Sequence, residues 1–323
     1  MLLYTIKRLV LMVPILIGIT FLSFGVMHLA PGGPAEAQME FAAKASAEAR
    51  ERLKKLYGAD QPLHKQYITW LRKFLTLDFG EAFADGRKVK DKILERLPVT
   101  VTINLLSLGL ILLIAVPIGV LSATRQYSRL DRFLTVFVFV GFSTPSFWLA
   151  LVLIYFLGVQ WGILPISGLQ SLDLNAMGSW ERLMDKAWHL VLPVFVLAFG
   201  GLAGLSRYVR NNMLEALRQD YIRTARAKGL PERAVVYKHA LRNALMPVIT
   251  ILGLSLPGII GGSVIIETVF GISGIGKLFY DATFSRDYNL AMGILVPGAV
   301  LTMLGNFLAD VGYAFADPRV RLR

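Results

Sequence analysis

The residues that could do chemistry are few and scattered. Gly271-Ile-Ser-Gly-Ile-Gly-Lys-Leu278 has the spacing of a phosphate-binding loop, G-x-x-x-x-G-K. Such a loop needs a Ser or Thr hydroxyl after the lysine to hold Mg²⁺, and Leu278 has none. Four histidines, His28, His64, His189 and His239, show no metal-ligand spacing, and there is no cysteine. Thiolate metal sites, disulfides and a cysteine nucleophile are therefore excluded. Gly262-Ser263 would suggest a serine hydrolase only with a histidine base in reach, and His189 is the one weak candidate. Little here points to catalysis.

The elements that carry these residues explain why. The chain has 323 residues, of which 55% are hydrophobic and 17% charged, with a mean hydropathy of +0.56. A soluble domain carries about 25% charged residues, so an ordinary soluble protein and a disordered one are both excluded. Six runs lack any charge: Arg8 to Glu36, Arg96 to Arg125, Arg132 to Asp173, Lys186 to Arg207, Arg242 to Glu267 and Asp287 to Asp310. About 20 apolar residues cross a hydrocarbon core of about 30 Å, and each run suffices. Within Arg132–Asp173 the second half is rich in Gly, Pro, Ser and Gln, so that run holds one span. The reading is an all-α integral membrane protein with six transmembrane helices, at about 9–29, 99–123, 133–157, 188–209, 246–268 and 289–312. Barrel strands are excluded because they alternate over about 10 residues, and these runs do not. The first span is longer than a signal-peptide core of about 7–15 residues, and Pro31 makes a poor cleavage site, so it reads as uncleaved.

Six spans place both termini on one side. Leaving out the long loop 31–98, 17 basic residues fall on that side and 4 on the other. The positive-inside rule for short loops then makes both termini cytoplasmic, and the net charge of +12 reports this sorting rather than nucleic-acid binding. Loop 31–98 is too long for a plain connection. Ser46–Leu56 reads as a helix, and Leu63, Tyr67, Trp70, Leu71 and Phe74 recur at helical spacing. This is either an external subdomain that meets a partner or an amphipathic pair lying on the membrane or the bundle.

Residues 207–245 are the most informative stretch. Nine basic residues accompany Glu215, Asp220 and Glu232. A helix is expected from Asn212 to Lys228, stopped by Gly229-Leu230-Pro231, and a second one restarts with Pro231 in its first turn. The glycine gives the turn positive φ and lets a partner surface come close. The competing reading is a basic surface for anionic membrane lipid. Each span holds at least one proline: Pro14, Pro117, Pro145, Pro193, Pro257 and Pro297, with Pro247 also inside the fifth. Ser143, Thr144 and Ser146 beside Pro145 could satisfy freed carbonyls or line a pathway. Gly200-x-x-x-Gly204 and Gly258-x-x-x-Gly262 allow close helix approach. Glu267 is the one acid in or bordering a span core. It is read either as a gate or substrate contact, or as a carboxylate reaching the outer interface. The glycine-rich segment 271–278 falls on the outer side, away from cytosolic ATP, and reads as a turn.

Tyr221-Ile-Arg-Thr-Ala-Arg-Ala-Lys-Gly-Leu230 and His239-Ala-Leu-Arg-Asn-Ala-Leu-Met-Pro247 resemble the cytoplasmic loop of ABC-importer permeases of the dipeptide/oligopeptide/nickel group. The resemblance covers nearly the whole chain. It includes Leu29-Ala-Pro-Gly-Gly-Pro34, Asp60-Gln-Pro-Leu63, Arg96-Leu-Pro-Val-Thr100, Thr144-Pro-Ser-Phe-Trp148, Gly261–Phe270, Arg286-Asp-Tyr288 and Asp317-Pro-Arg319, in order. The pattern is that of the first of two permeases. The wider importer motif starts Glu-Ala-Ala six residues before its glycine, where this chain has Arg223-Thr224-Ala225. The resemblance implies a type I ABC-importer permease fold. Residues 1–30 are the N-terminus and first span, 31–98 the outer loop, 99–312 a five-helix core and 313–323 a tail. It also implies a second homologous permease, two cytosolic ABC ATPases and an extracytoplasmic substrate-binding protein. The membrane implied is the bacterial inner membrane. ATP and Mg would sit on the ATPases, and this chain would bind no cofactor. Arg223, Thr224, Ala225, Lys228 and Gly229 would make the coupling contact. The solute would be a peptide, with nickel or another small solute as alternatives. An ion-coupled secondary transporter and a non-transporting scaffold remain open as other classes.

Overall fold

The computed structural model describes residues 2–29, 61–171, 173 and 177–316. Among them there is no strand, only one isolated bridge between Glu81 and Lys88. The helices are α1 (Leu2–Leu29), α2 (Leu63–Leu75), α3 (Val89–Thr124), α4 (Arg129–Ser143), α5 (Ser146–Leu153) and α6 (Ser179–Leu217). They continue with α7 (Asp220–Ala227), α8 (Glu232–Ala234), α9 (Leu241–Ala244), α10 (Met246–Gly261), α11 (Val264–Val269), α12 (Ile275–Phe284) and α13 (Tyr288–Ala316). A wider π-helical stretch extends α5 over Ile154–Gln160, and another, Val235–Ala240, joins α8 to α9.

Among the described residues four helices are long and apolar enough to cross a membrane: Ile6–His28 within α1, α3, α6, and Tyr288–Leu308 within α13. The expected span 133–157 is broken. Its two halves, Arg129–Ser143 and Ser146–Gln160, meet at 100°. Pro145 lacks the N–H that would continue the ladder and forces Thr144 out of helical geometry. The expected span 246–268 is likewise interrupted. α10 ends at Gly261, Gly262 takes φ +69°, and α11 resumes at Val264. Two other spans are longer than the charge gaps implied. α3 has 36 residues and α6 has 39. At 1.5 Å per residue, α6 is about 58 Å long, far beyond a hydrocarbon core of about 30 Å.

The chain divides into two compact units. In the first (1–100, 260–264, 273–323), α2 lies on α1 through aromatic side chains. Tyr67 stands edge-on to Phe21 and Phe24, and its hydroxyl meets Thr20 Oγ1 at 2.9 Å. Phe24 and Phe74 close a core with Met292 and Val296 of α13. The described part of loop 31–98 is thus seated on α1 and α13. The expected helix Ser46–Leu56 lies outside the described residues. Asp287 is fully buried just before α13. It accepts N–H bonds from Leu290 at 3.1 Å and from Ala84 at 3.3 Å, so it caps the helix and fastens the 80s loop. Burial pushes its carboxyl up, against the pull of these donors.

The second unit (101–259, 265–272) centres on α3 and α6, which approach through glycines other than those expected. A Cβ at Gly119 would fall 2.6 Å from Val209 and 2.9 Å from the Ser206 carbonyl oxygen. One at Gly201 would fall 2.5 Å from Ile111. Gly200, Gly204 and Gly258 would meet nothing within 4 Å, so the pair Gly200-x-x-x-Gly204 is not this contact. α4 packs on α6 with Phe137 edge-on to Phe199 and Gly141 beneath the same ring.

Gly119→Val is expected to cost about 1–3 kcal/mol by overpacking this crossing. Gly200→Ala, which enters open space, should leave stability unchanged or slightly raised. Thermal unfolding of the two purified variants checks this, and equal midpoints would refute the assigned helix contact.

Candidate functional site

Between α6 and α10 the chain folds into a helical loop on a continuous apolar core. Met213 and Ala216 of α6, Ile222 and Ala225 of α7, Val235, Val236 and Ala240 of the π-helical stretch and Ala244 of α9 are all buried in it. The same core takes in Ala115, Val120 and Ala123 of α3, Val209 of α6 and Val248 of α10. Ile222 and Ala225, three residues apart, form one stripe of α7, and the rest of that helix faces out. The expected single helix Asn212–Lys228 is interrupted: α6 ends at Leu217, Arg218 and Gln219 turn, and α7 starts at Asp220. The turn lets the stripe of α7 fold back onto the core instead of running on with α6.

α7 ends in a Schellman cap. Leu230 N–H bonds the Ala225 carbonyl at 3.4 Å, and Gly229 N–H bonds the Arg226 carbonyl at 2.9 Å. This pattern needs a left-handed residue after the helix, and Gly229 supplies it with φ +73°. Pro231 stands just outside the next helix as its N-cap, not in its first turn, and its carbonyl receives Ala234 and Val235 N–H. Across the turn the Arg226 guanidinium donates to both carboxylate oxygens of Glu232, through Nη2 at 2.6 Å and Nε at 3.1 Å. That bond holds the Glu232 carboxyl below its usual range and the guanidinium above its own.

Four of the five expected coupling residues share the exposed side of this frame: Arg223, Thr224, Lys228 and Gly229. Arg223 reaches Asp220 at 3.4 Å, and Thr224 Oγ1 donates to the Asp220 carbonyl at 3.0 Å. A Cβ at Gly229 would meet nothing of this chain within 4 Å. Ala225 departs from the expectation. It is buried in the core, because its small side chain is what lets α7 lie close, so it supports the surface and does not belong to it.

The other expected residues lie on separate elements. Ser143 ends α4 and Ser146 begins α5, both exposed at the bend, while the Thr144 hydroxyl is engaged at 2.7 Å by the Val140 carbonyl. Glu267 in α11 is 3% exposed, a buried carboxylate. Of the segment 271–278, residues 271–274 form the turn between α11 and α12, and Ile275–Leu278 are the first residues of α12. Gly271 (φ +61°) caps α11, with Ile272 N–H on the Glu267 carbonyl at 2.7 Å, and Lys277 pairs with Asp281 at 2.8 Å inside α12.

One cluster was not anticipated. Asp131, in the first turn of α4, is 3% exposed. Arg210 of α6 donates to it through Nε and Nη2, both at 3.0 Å, and the Tyr127 N–H does so at 2.9 Å. Ser122 of α3 donates its hydroxyl to Asp131 and accepts Arg210 Nε at 3.0 Å. Tyr127 sits at φ +64°, a conformation costly for a tyrosine, and the Asp131 bond holds it there. The available signal was that Asp131 is the only acid between residues 97 and 172, in a turn carrying three arginines.

Comparison with known proteins bears on this geometry. The family described as "Binding-protein-dependent transport system inner membrane component" matches residues 115–322. Its N-terminal companion matches residues 1–104. The chain is 46% identical over 318 residues to the oligopeptide transport system permease protein AppB of Bacillus subtilis (strain 168), covering 98% of each. It is 36% identical over 322 residues to the oligopeptide transport system permease protein OppB of Haemophilus influenzae, covering 99% of this chain and 100% of that one. Among solved structures, an inward-facing form of the MetNI methionine ABC transporter superposes with a TM-score of 0.54 at 21% identity. That match covers 70% of this chain and 96% of the other, and it establishes a shared fold.

Proposed function

Because the chain belongs to the binding-protein-dependent transport system inner membrane component family, we propose that it is one of two transmembrane permease subunits of an ATP-driven peptide importer. The relatives at 46% and 36% identity over the full chain carry names of oligopeptide permeases, which supports a peptide as the solute. The observation that carries the mechanism is the loop. Arg223, Thr224, Lys228 and Gly229 form an exposed face whose backbone is fixed from below by a core and at its end by a glycine cap.

In this reading the loop faces the cytosol of a bacterium and seats in a groove of an ABC ATPase. The second, similar permease seats its loop in a second ATPase. ATP and Mg bind to the ATPases and draw them together. The motion enters through α7 and is carried without loss into α6, because α7, α9 and the lower half of α6 share one core. The pathway between the two permeases then turns outward, receives peptide from an extracytoplasmic binding protein, and turns inward after hydrolysis. The exposed Ser143 and Ser146 at the 100° bend are proposed as polar groups of that pathway. Both termini lie in the cytoplasm and the membrane is the inner membrane.

Native mass spectrometry of the complex drawn from its own membrane by a tag on this chain is expected to give this chain, one similar permease and two ATPases. A lone chain or a homodimer in several mild detergents would overturn the assignment. At Gly229 the fold tolerates volume but not an ordinary backbone. Gly229→Asn, which accepts left-handed φ, should keep most uptake. Gly229→Trp should abolish uptake at normal membrane level, with a loss of chain stability of about 1–2 kcal/mol at most from the strained φ. Unchanged uptake by the tryptophan variant would sink the coupling role of this turn.

A further inference from the structure

The apolar core under the loop unites α3, α6, α7, α9 and α10, and its residues include none from α4. α4 joins α6 by a smooth contact instead, Phe137 and Gly141 against Phe199 and Ala203. Packed helices slide past one another in small shear steps at such contacts. At one end, however, α4 is held by directional bonds. Asp131 receives Arg210 by a two-pronged grip from α6, Ser122 from the end of α3 and Tyr127 N–H from the turn between. At its other end α4 stops at the 100° break at Thr144 and Pro145. α4 is therefore a rod of 15 residues, pinned at one end and hinged at the other.

The geometry points to the Arg210–Asp131–Ser122 cluster as the pin that forces α4 to travel with α6 and the loop, so that loop displacement is delivered to the bend at Thr144–Pro145. Asp131 and Arg210 are then positioning residues of transport, a role that rests on the importer reading above. Asp131 is buried and Arg210 partly so, and a desolvated ion pair serves stability poorly, since apolar replacements of the same volume are often as stable. What the bidentate grip supplies is register. Sliding α4 along α6 by a fraction of a turn would separate the guanidinium from the carboxylate, whereas the contact of Phe137 with Phe199 would merely shift.

The test uses the complete transporter complex in lipid nanodiscs. The chain has no cysteine, so spin labels can be placed at Arg132→Cys on α4 and Lys238→Cys in the loop, both exposed positions. Their separation is measured by pulsed electron resonance without nucleotide and with ATP trapped. The expected result is one narrow distance, the same in both states. Asp131→Asn should broaden it and lower peptide transported per ATP hydrolysed by about tenfold, while the ATPases keep turning over. Arg210→Lys, which keeps the charge but loses the fork, should fall between. A distance that changes between states in the otherwise unmutated complex overturns the pin, whether or not Asp131→Asn assembles. So does an unchanged transport-to-ATP ratio in either variant. No ATP-driven uptake by the unmutated complex would overturn the importer reading itself, and the pin with it.

Discussion

Everything distinctive about this chain depends on the burial of a few small and branched side chains beneath the loop between α6 and α10. Ile222, Val235 and Ala240 are fully enclosed against Val209 and Met213. Removing a Val or Ile side chain from water is worth about 1.5–3 kcal/mol. Several such residues offset the entropy of ordering a charged loop. Without that core the nine basic residues of 207–242 would repel one another on a flexible tether. With it, they are mounted on a solid extension of a 39-residue helix.

The second constraint is that helix ends cannot be left open. In hydrocarbon or in a packed core an unpaired carbonyl costs several kcal/mol. The chain answers with the same device twice. Gly229 ends α7 and Gly271 ends α11, each by the paired bonds of a left-handed cap. Asp287 does the opposite task at the start of α13 while fastening a loop 203 residues away in sequence. These closures allow a long apolar chain to be cut into rigid pieces at chosen points.

How much of this could be read from residues alone follows the same physics. The spans in α1, α3, α6 and α13 were legible because a charge in hydrocarbon is so costly that its absence is compulsory over about 20 residues. Gly229 was legible because few residues can follow a helix with positive φ. The bend at Pro145 was not distinguishable from Pro14, Pro193 or Pro297, which sit inside continuous helices. A proline breaks or only bends according to what its neighbours can still pair with. The glycines that matter to packing, Gly119 and Gly201, belong to no G-x-x-x-G pattern, since a crossing point depends on the facing helix. The cluster at Asp131 was hidden for a similar reason: its partner Arg210 lies 79 residues on, and pairing across helices leaves no local spacing. Ala225 turns inward although its neighbours on the motif all face out, because the helix phase set by Ile222 puts it on the buried stripe.

The open space above Gly229 has an evolutionary consequence. Because the frame of the loop is set by Ile222, Ala225 and the cap, the outward residues carry little of this chain's own packing, and under the coupling proposed above they answer to a second molecule. Arg223, Thr224 and Lys228 can drift in step with whatever docks there while the scaffold stays fixed. A cell that duplicates such a system can therefore diverge the two copies at a handful of outward positions and keep their subunits from exchanging, with no redesign of the bundle beneath.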